Sequence, residues 1–86
     1  MKQITLDGNI LADAEKIHDY LKKALDLPAH YGNNLDALYD CLGDLEDLEI
    51  TITTPKEFDL FYLKVVRVFN AADRGNDSLN VIYLDS

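Results

Sequence analysis

The sequence predicts one α/β domain of 86 residues, in which a three-stranded parallel β-sheet packs with three to four α-helices. Three short segments, near residues 3–6, 49–53 and 79–84, have the apolar patterns of β-strands. The segments between them carry apolar residues at helical spacing. Strands that are joined by helical crossovers are typical of a parallel sheet. A chain of this length suits a single domain that buries roughly 60% of its unfolded surface.

The first strand and the first helix are predicted from the N-terminal quarter of the chain. Ile4 and Leu6 alternate with polar residues up to the turn pair Asp7-Gly8, which indicates a short strand. Asp13 is a suitable N-cap for a following helix, and Pro28 cannot continue that helix. The buried stripe of this helix is expected to consist of Ala14, Ile17, Leu21, Ala24 and Leu25.

A second helix is predicted in the middle of the chain. Asn34 is its expected N-cap, and the helix should run from Leu35 to about Leu42. Leu35, Leu38 and Leu42 recur at helical spacing, so this face should pack into a core. Gly43 is expected to end the helix in the left-handed conformation that favours glycine.

The remaining strands are predicted on either side of the last helical segment. Polar and apolar residues alternate along Glu49–Thr53, which is rich in β-branched residues. This pattern indicates the second strand. Leu79–Leu84 is almost continuously apolar and indicates the third strand, after a terminating loop at Arg74–Asp77.

A third helix is predicted to begin at Thr54. The run Thr54-Pro55-Lys56-Glu57 fits a capping box with proline at the first helical position. Asp59 indicates a bend or a break, so the pattern leaves open whether one helix or two lie between Pro55 and Asp73. The buried stripe should consist of Phe58, Phe61, Tyr62, Val65, Phe69 and Ala72.

The overall charge limits the classes of partner. The chain has 16 acidic and 8 basic residues, giving a net charge of -8. Such a surface repels phosphate backbones, so nucleic-acid binding is not expected, whereas a basic protein partner is. No apolar run approaches the ~20 residues that span a membrane, and no signal-peptide segment is visible. Together with the single cysteine, Cys41, this predicts a cytoplasmic protein that is monomeric when free.

The second helix carries the strongest functional signal. From Asp26 to Glu49 there are seven acidic residues and no lysine or arginine. Asp36 and Asp40 lie four residues apart, and Asp44 continues that spacing. Like charges at this spacing destabilise a helix by a few tenths of a kcal/mol per pair, and aspartate is a poor helix former. The pattern therefore favours a binding face, although a solvated acidic face that serves only solubility is the alternative.

The stretch LPAHYGNNLDALYDCL, from Leu27 to Leu42, resembles the signature segment of the barstar family, the intracellular inhibitors of barnase-type ribonucleases. Asn34-Leu35-Asp36-Ala37-Leu38 and Asp40-Cys41-Leu42 carry the match, and the pattern of elements extends it over nearly the whole chain. The resemblance implies a barstar-like fold without catalytic residues or cofactors. It also implies a bacterial immunity protein that occludes the active site of a guanyl-specific ribonuclease or toxin domain in a 1:1 complex.

The resemblance further implies which residues contact the ribonuclease. In the family, the aspartate that matches Asp40 occupies the position of the substrate phosphate and meets the cationic groups of the enzyme. Asp36 matches a second interface acid, and Tyr31 and Asn34 match residues of the binding loop. The predicted partner-binding residues are His30, Tyr31, Asn34, Asp36, Tyr39, Asp40, Gly43, Asp44 and Asp47.

The chain departs from the family pattern at several of these positions. His30 replaces a tyrosine, Tyr39 replaces a tryptophan, and Gly43-Asp44-Leu45 replaces a Thr-Gly-Trp run. Ala71 stands where the family has an interface glutamate on the last helix. The fold and the inhibitor class follow from the resemblance more directly than the identity of the target, which need not be barnase.

Several side chains also have structural interpretations. Tyr31 and Tyr39 are either half-buried structural residues or interface residues, because tyrosine is common in both settings. His18 lies beside the buried stripe of the first helix and is expected to be structural. Cys41 is expected to be a small packed residue, because no base is identifiable to activate its thiol.

Three other functions are alternatives to ribonuclease inhibition. One is an acidic interaction module with a basic partner that is not a nuclease. A small hydrolase is disfavoured, since the sequence has no nucleophile elbow, phosphate-binding glycine loop or HExxH motif. An acyl-carrier protein is suggested only by Asp77-Ser78-Leu79, the tripeptide that carries phosphopantetheine, and a strand is predicted after it where a carrier needs helices.

Overall fold

A computed structural model of the protein describes residues 2–84. Three strands alternate with four helices, and one helix, α4, joins the second strand to the third. The elements are β1 (Lys2–Leu6), α1 (Gly8–Leu11), α2 (Ile17–Ala24), α3 (Leu35–Gly43), β2 (Leu48–Thr53), α4 (Leu60–Gly75) and β3 (Leu79–Leu84).

The three strands form a parallel sheet in the order β1-β2-β3. The register pairs Ile4 of β1 with Ile50 of β2, and Ile50 with Val81 of β3. Each connection passes through helix, as parallel neighbours require. The predicted α/β class with a three-stranded parallel sheet is therefore confirmed. None of the helices within residues 2–84 is both long and apolar enough to span a bilayer.

The alternation of buried and partly exposed residues along β2 shows which face of the sheet packs against the core. Leu48, Ile50 and Ile52 are buried, and the residues between them are partly exposed. One face of the sheet therefore packs against the helices. Burying a Leu or Ile side chain contributes about 1.5–3 kcal/mol relative to exposing it. The helices supply the other half of this core through Leu11, Ile17, Leu21, Leu38, Leu42, Tyr62, Val65, Phe69 and Ala72.

The first helical region differs from its prediction. Asp7 caps a short, unpredicted helix α1, because its side chain accepts a hydrogen bond from the Asn9 N–H. The Asp13 side chain instead caps a turn, in which it accepts from the N–H of Glu15 and Lys16. α2 therefore begins only at Ile17, and Ala14, outside the helix, is exposed and not part of the buried stripe.

The capping box at Thr54 does not form. The Thr54 hydroxyl donates to the Leu84 carbonyl of the neighbouring strand β3 instead of capping a helix. The Lys56 N–H donates to Asn9 Oδ1 at 2.8 Å. The Thr54 hydroxyl and the Lys56 N–H therefore form hydrogen bonds with residues distant in sequence, and residues 54–59 form a loop.

α4 begins at Leu60, and its N-cap is Asp59. The Asp59 side chain accepts hydrogen bonds from the N–H of Phe61 and Tyr62. One continuous helix follows, which answers the question that the sequence left open. Phe58 precedes this helix and is 58% exposed, so its predicted place in the buried stripe is wrong.

The end of α3 also differs from its prediction. Gly43 is the last helical residue, and no glycine among residues 2–84 has a positive φ. The Asn76 side chain, from the end of α4, donates to the carbonyls of Leu42 at 3.0 Å and Leu45 at 2.8 Å. Asn76 therefore satisfies carbonyls at the end of α3 that a left-handed glycine turn would otherwise satisfy.

Candidate partner-binding site

The start of α3 is fixed by its N-cap, as predicted. The Asn34 side-chain oxygen accepts a hydrogen bond from the Ala37 N–H at 2.7 Å. The Asn34 side-chain nitrogen donates to the Gly32 carbonyl at 3.2 Å, which ties the cap to the preceding loop. Asp36 lies in the first helical turn, where the helix dipole favours a negative charge.

The acidic side chains of α3 are exposed. Asp36 and Asp40 lie one turn apart on the helix, and Asp44 is its C-cap. Within residues 2–84 the one ion pair joins Lys16 to Asp13, so no basic side chain of that part neutralises these three acids. The last turn of α3 contains no basic residue either, which leaves Asp40 and Asp44 at the unfavourable pole of the helix dipole.

Asp40 lies where two grooves meet. The first groove separates α3 from the loop before it, and its lining includes His30, Asp40 and Asp44. The second groove separates α3 from α4, and its lining includes Asp36, Tyr39 and Asp40. A carboxylate at this position can meet groups that enter from either side, so Asp40 is central to the surface.

Tyr31 lines the first groove, although most of its side chain lies in the core. The side chain is only 5% exposed and belongs to the core. Its hydroxyl is hydrogen-bonded to Nδ1 of His18 at 2.7 Å. Burial raises the pKa of Tyr31 to about 12. Tyr31 therefore has a structural role together with His18, and its contact with a partner remains a prediction.

Cys41 lies in the first groove, beside the acids. Burial, followed by the carboxylates of Asp44 and Asp40, raises the pKa of the Cys41 thiol above its usual value. A protonated thiol is a poor nucleophile. Cys41 is also packed against the core, as expected. No group of three or more acidic, histidine or cysteine side chains in residues 2–84 is arranged to hold a metal ion.

Tyr39 extends from α3 toward α4. It is 46% exposed, and its hydroxyl lies 3.9 Å from the position that a Cβ would take at Gly75. The α4 wall opposite Tyr39 is formed by Arg67, Val68 and Ala71. Of these residues, the sequence indicated only Ala71, because the others become neighbours of α3 through tertiary packing.

The nine predicted contact residues divide into two groups. Six of them line the two grooves: His30, Tyr31, Asp36, Tyr39, Asp40 and Asp44. Asn34, Gly43 and Asp47 do not. Asn34 serves as the helix cap, Gly43 is exposed at the helix end, and Asp47 is exposed in a left-handed conformation with φ of 56° before β2. A contact role for all nine residues remains a prediction.

Two comparisons with known proteins indicate the family of the chain. A family model described as barstar, barnase inhibitor, matches residues 1–79. A Bacillus subtilis strain 168 protein, YrdF, which its name describes as a candidate ribonuclease inhibitor, is 48% identical over 52 residues. That alignment covers 60% of this chain and 57% of the length of YrdF. Barstar-family proteins are inhibitors and not enzymes, and the family match covers β1, β2 and all four helices and ends at the first residue of β3. The chain therefore belongs to the barstar family.

Proposed function

We propose that this protein binds a barnase-type ribonuclease, or a related toxin domain, and blocks its active site without chemistry. The observation that carries the proposal is the position of Asp40, an exposed carboxylate at the meeting point of two grooves. It lies in the segment that carries the family resemblance, and YrdF is itself named for ribonuclease inhibition.

The two α3 carboxylates suit a site that is built to hold RNA. Residues four apart on a helix have Cβ atoms about 5–6 Å apart, so Asp36 and Asp40 present two negative groups side by side. A ribonuclease surrounds its phosphodiester with Arg, Lys or His groups, which can donate to carboxylates instead. Charge-assisted bonds of this kind, above all bidentate bonds from arginine, are the stronger class of hydrogen bond.

The acidic face is held rigid before a partner arrives. Asn34 fixes the start of α3, Asn76 binds the carbonyls at its end, and Leu38 and Leu42 are fully buried beneath it. A surface that is already ordered loses little conformational entropy on binding. The net charge of -8 would also attract a basic enzyme and raise the association rate.

We also propose that the protein acts inside the cell that produces the ribonuclease. A 1:1 complex follows from a single acidic face per monomer that fills a single active site. A cytoplasmic inhibitor would protect the RNA of a producing cell from a ribonuclease that is made for secretion, as an immunity protein does.

The direct test is calorimetric titration of the protein into barnase, together with the rate of RNA cleavage by the same mixture. Binding at a 1:1 ratio with loss of cleavage would support the proposal. An absence of binding to barnase and to other guanyl-type ribonucleases would contradict it. Binding to a basic protein that is not a nuclease would favour the second candidate, an acidic interaction module, which the same exposed carboxylates would serve.

A further inference from the structure

The groove between α3 and α4 is lined by charges of both signs. α3 contributes Asp36 and Asp40, and α4 contributes Arg67 on the opposite wall. Leu35, Tyr39, Val68 and Ala71 complete the lining. The groove has a volume of about 410 Å³ and is open to solvent.

Arg67 is the one arginine or lysine that lines either groove of the candidate site. Its side chain is exposed, and no carboxylate within residues 2–84 pairs with it, even though Asp36 and Asp40 line the same groove. The segment that supplies the acids has no lysine or arginine from Asp26 to Glu49. On a face whose only task was to attract basic groups, a cation at this position would be repulsive.

We propose that Arg67 is a specificity-determining contact, which binds an acidic side chain of the ribonuclease beside the basic groups that meet Asp36 and Asp40. The inference rests on the proposed function and adds the chemistry of the partner surface. A guanidinium can hold a carboxylate through two parallel hydrogen bonds, which makes the contact selective as well as attractive. A ribonuclease without an acid at this place would leave Arg67 buried and unpaired.

This arrangement discriminates between basic partners. A uniformly basic surface would satisfy Asp36 and Asp40 but would place a positive charge against Arg67. Specificity of this kind combines an attractive contact for the right partner with a repulsive one for the wrong partner. The small side chain of Ala71, one helical turn along α4 from Arg67, leaves room for the acidic side chain of the partner beside Tyr39.

Arg74 provides a matched control. It is exposed on the same helix, seven residues from Arg67, and it lines neither groove. Seven residues of helix correspond to about 10 Å, so the two arginines face different surroundings along α4. Arg67→Gln and Arg74→Gln change the net charge of the protein equally. A long-range charge effect therefore acts on both variants, whereas a direct contact is lost in only one.

The experiment measures association and dissociation rates of the wild type, Arg67→Gln and Arg74→Gln with barnase by stopped-flow fluorescence, with RNA cleavage as a parallel readout. Removing either positive charge should leave the association rate equal or raise it slightly. Only Arg67→Gln should dissociate faster, by about tenfold, because loss of a close contact acts mainly on the dissociation rate. Arg67→Lys keeps the charge but loses the planar guanidinium. Its dissociation rate should lie between those of the wild type and Arg67→Gln.

The outcomes separate this inference from the proposed function. Equal dissociation rates for both glutamine variants, with the wild type still inhibiting cleavage, would overturn the role of Arg67 alone. Tighter binding of Arg67→Gln would overturn it as well, because the arginine would then be only repulsive. A wild type that inhibits RNA cleavage neither by barnase nor by other guanyl-type ribonucleases would overturn the proposed function and this inference with it. Circular dichroism of each variant would check that the fold is unchanged.

Discussion

Nδ1 of His18 lies 2.7 Å from the hydroxyl oxygen of Tyr31, and this hydrogen bond joins α2 to the loop before α3. The two rings also contact each other, with their centroids 5.6 Å apart. The same Tyr31 hydroxyl lies 3.5 Å from the carbonyl oxygen of Asn34, the N-cap of α3. A partly buried pair thus connects α2 to the start of the acidic helix.

Replacing Tyr31 with phenylalanine removes the hydrogen bond to His18 but keeps the buried aromatic ring. We expect Tyr31→Phe to lower the free energy of unfolding by about 1 kcal/mol, because a hydrogen bond is lost and His18 keeps a partly buried ring nitrogen without its partner. Urea denaturation measures this change.

Tyr39→Phe is the control for this variant. The Tyr39 hydroxyl makes no hydrogen bond to any group in residues 2–84, so its loss should leave the midpoint of unfolding unchanged. Equal destabilisation by the two substitutions would contradict the anchoring role of Tyr31.

The same contact predicts a pH dependence of stability. Burial lowers the pKa of His18 below its usual 6.5, and the neighbouring carboxylate of Asp19 only opposes this shift. The unfolded state therefore binds a proton at a higher pH than the folded state does. The contribution of neutral His18 to the free energy of unfolding should be complete above about pH 6.5. It should decrease as the pH falls from there through the lower, folded-state pKa.

Urea midpoints measured between pH 7.5 and pH 5.5 test this sign. His18→Gln should flatten the dependence, whereas His30→Gln, at an exposed loop position, should keep the wild-type slope. A dependence that survives His18→Gln would show that other groups cause it. The titration of the His18 ring protons by NMR gives the folded-state pKa directly.

Replacing Asp40 should weaken ribonuclease binding without destabilising the fold. Asp40→Ala should weaken ribonuclease binding by about 2 kcal/mol or more, the range of an interface hot spot. The same change should leave the fold as stable or slightly more stable, by about 0.3–1 kcal/mol, because it removes a negative charge near the C-terminus of α3. Calorimetric titration and urea denaturation of one preparation measure both quantities.

Asp19→Ala is the control for Asp40, since Asp19 is an exposed acid on α2 that lines neither groove. It also lowers the net negative charge by one. Equal losses of affinity from both variants would mean that only total charge matters, which would contradict a localised site.

Electrostatic steering predicts a dependence on salt. The association rate with a basic ribonuclease should decrease as sodium chloride rises from 0.05 to 0.5 M, since exposed charges are screened beyond about 10 Å at 0.1 M. The dissociation rate should change much less, because it depends on close contacts. Stopped-flow mixing measures both rates, and an association rate that does not respond to salt would contradict steering by the net charge of -8.

The sequence predicted the sheet well because period-two patterns depend only on which face is buried. The third strand, Leu79–Leu84, has the predicted bounds, and the second gains only Leu48. Helix starts were harder, since several capping residues compete and long-range contacts choose among them. Thr54 and Asp59 are both good caps, and the contact between Thr54 and β3 decides for Asp59. Helix α1 has only four residues, too few for a helical period to be visible.

The candidate site was predictable where it lies on one continuous segment. Asp36, Asp40 and Asn34 occupy the predicted places, because their positions follow from one helix and its cap. The role of Arg67 was not predictable, since it depends on how α4 packs against α3. Tyr31 was ambiguous for the same reason, because the burial of its ring depends on α2.

Asn76 holds the C-terminal end of α3. The Asn76 side chain donates to the carbonyls of Leu42, Gly43 and Leu45, and so connects the end of α4 to the end of α3. Asn76→Ala removes the donor and leaves at least one partly buried carbonyl without a partner, which should lower the free energy of unfolding by about 1–3 kcal/mol.

Asn76→Asp tests the reason for that loss. The aspartate is nearly the same size, but its carboxylate cannot donate to the three carbonyls and repels them, so it should destabilise the domain at least as much as alanine does. Asn80→Ala is the matched control, because Asn80 is exposed on β3 and its amide makes a single bond of 3.3 Å to Glu49. A stable Asn76→Asp variant would show that the size of Asn76, and not its donor, holds the end of α3. Hydrogen exchange of the amides in the last turn of α3 should rise in Asn76→Ala before exchange in β2 does, since the connection is local.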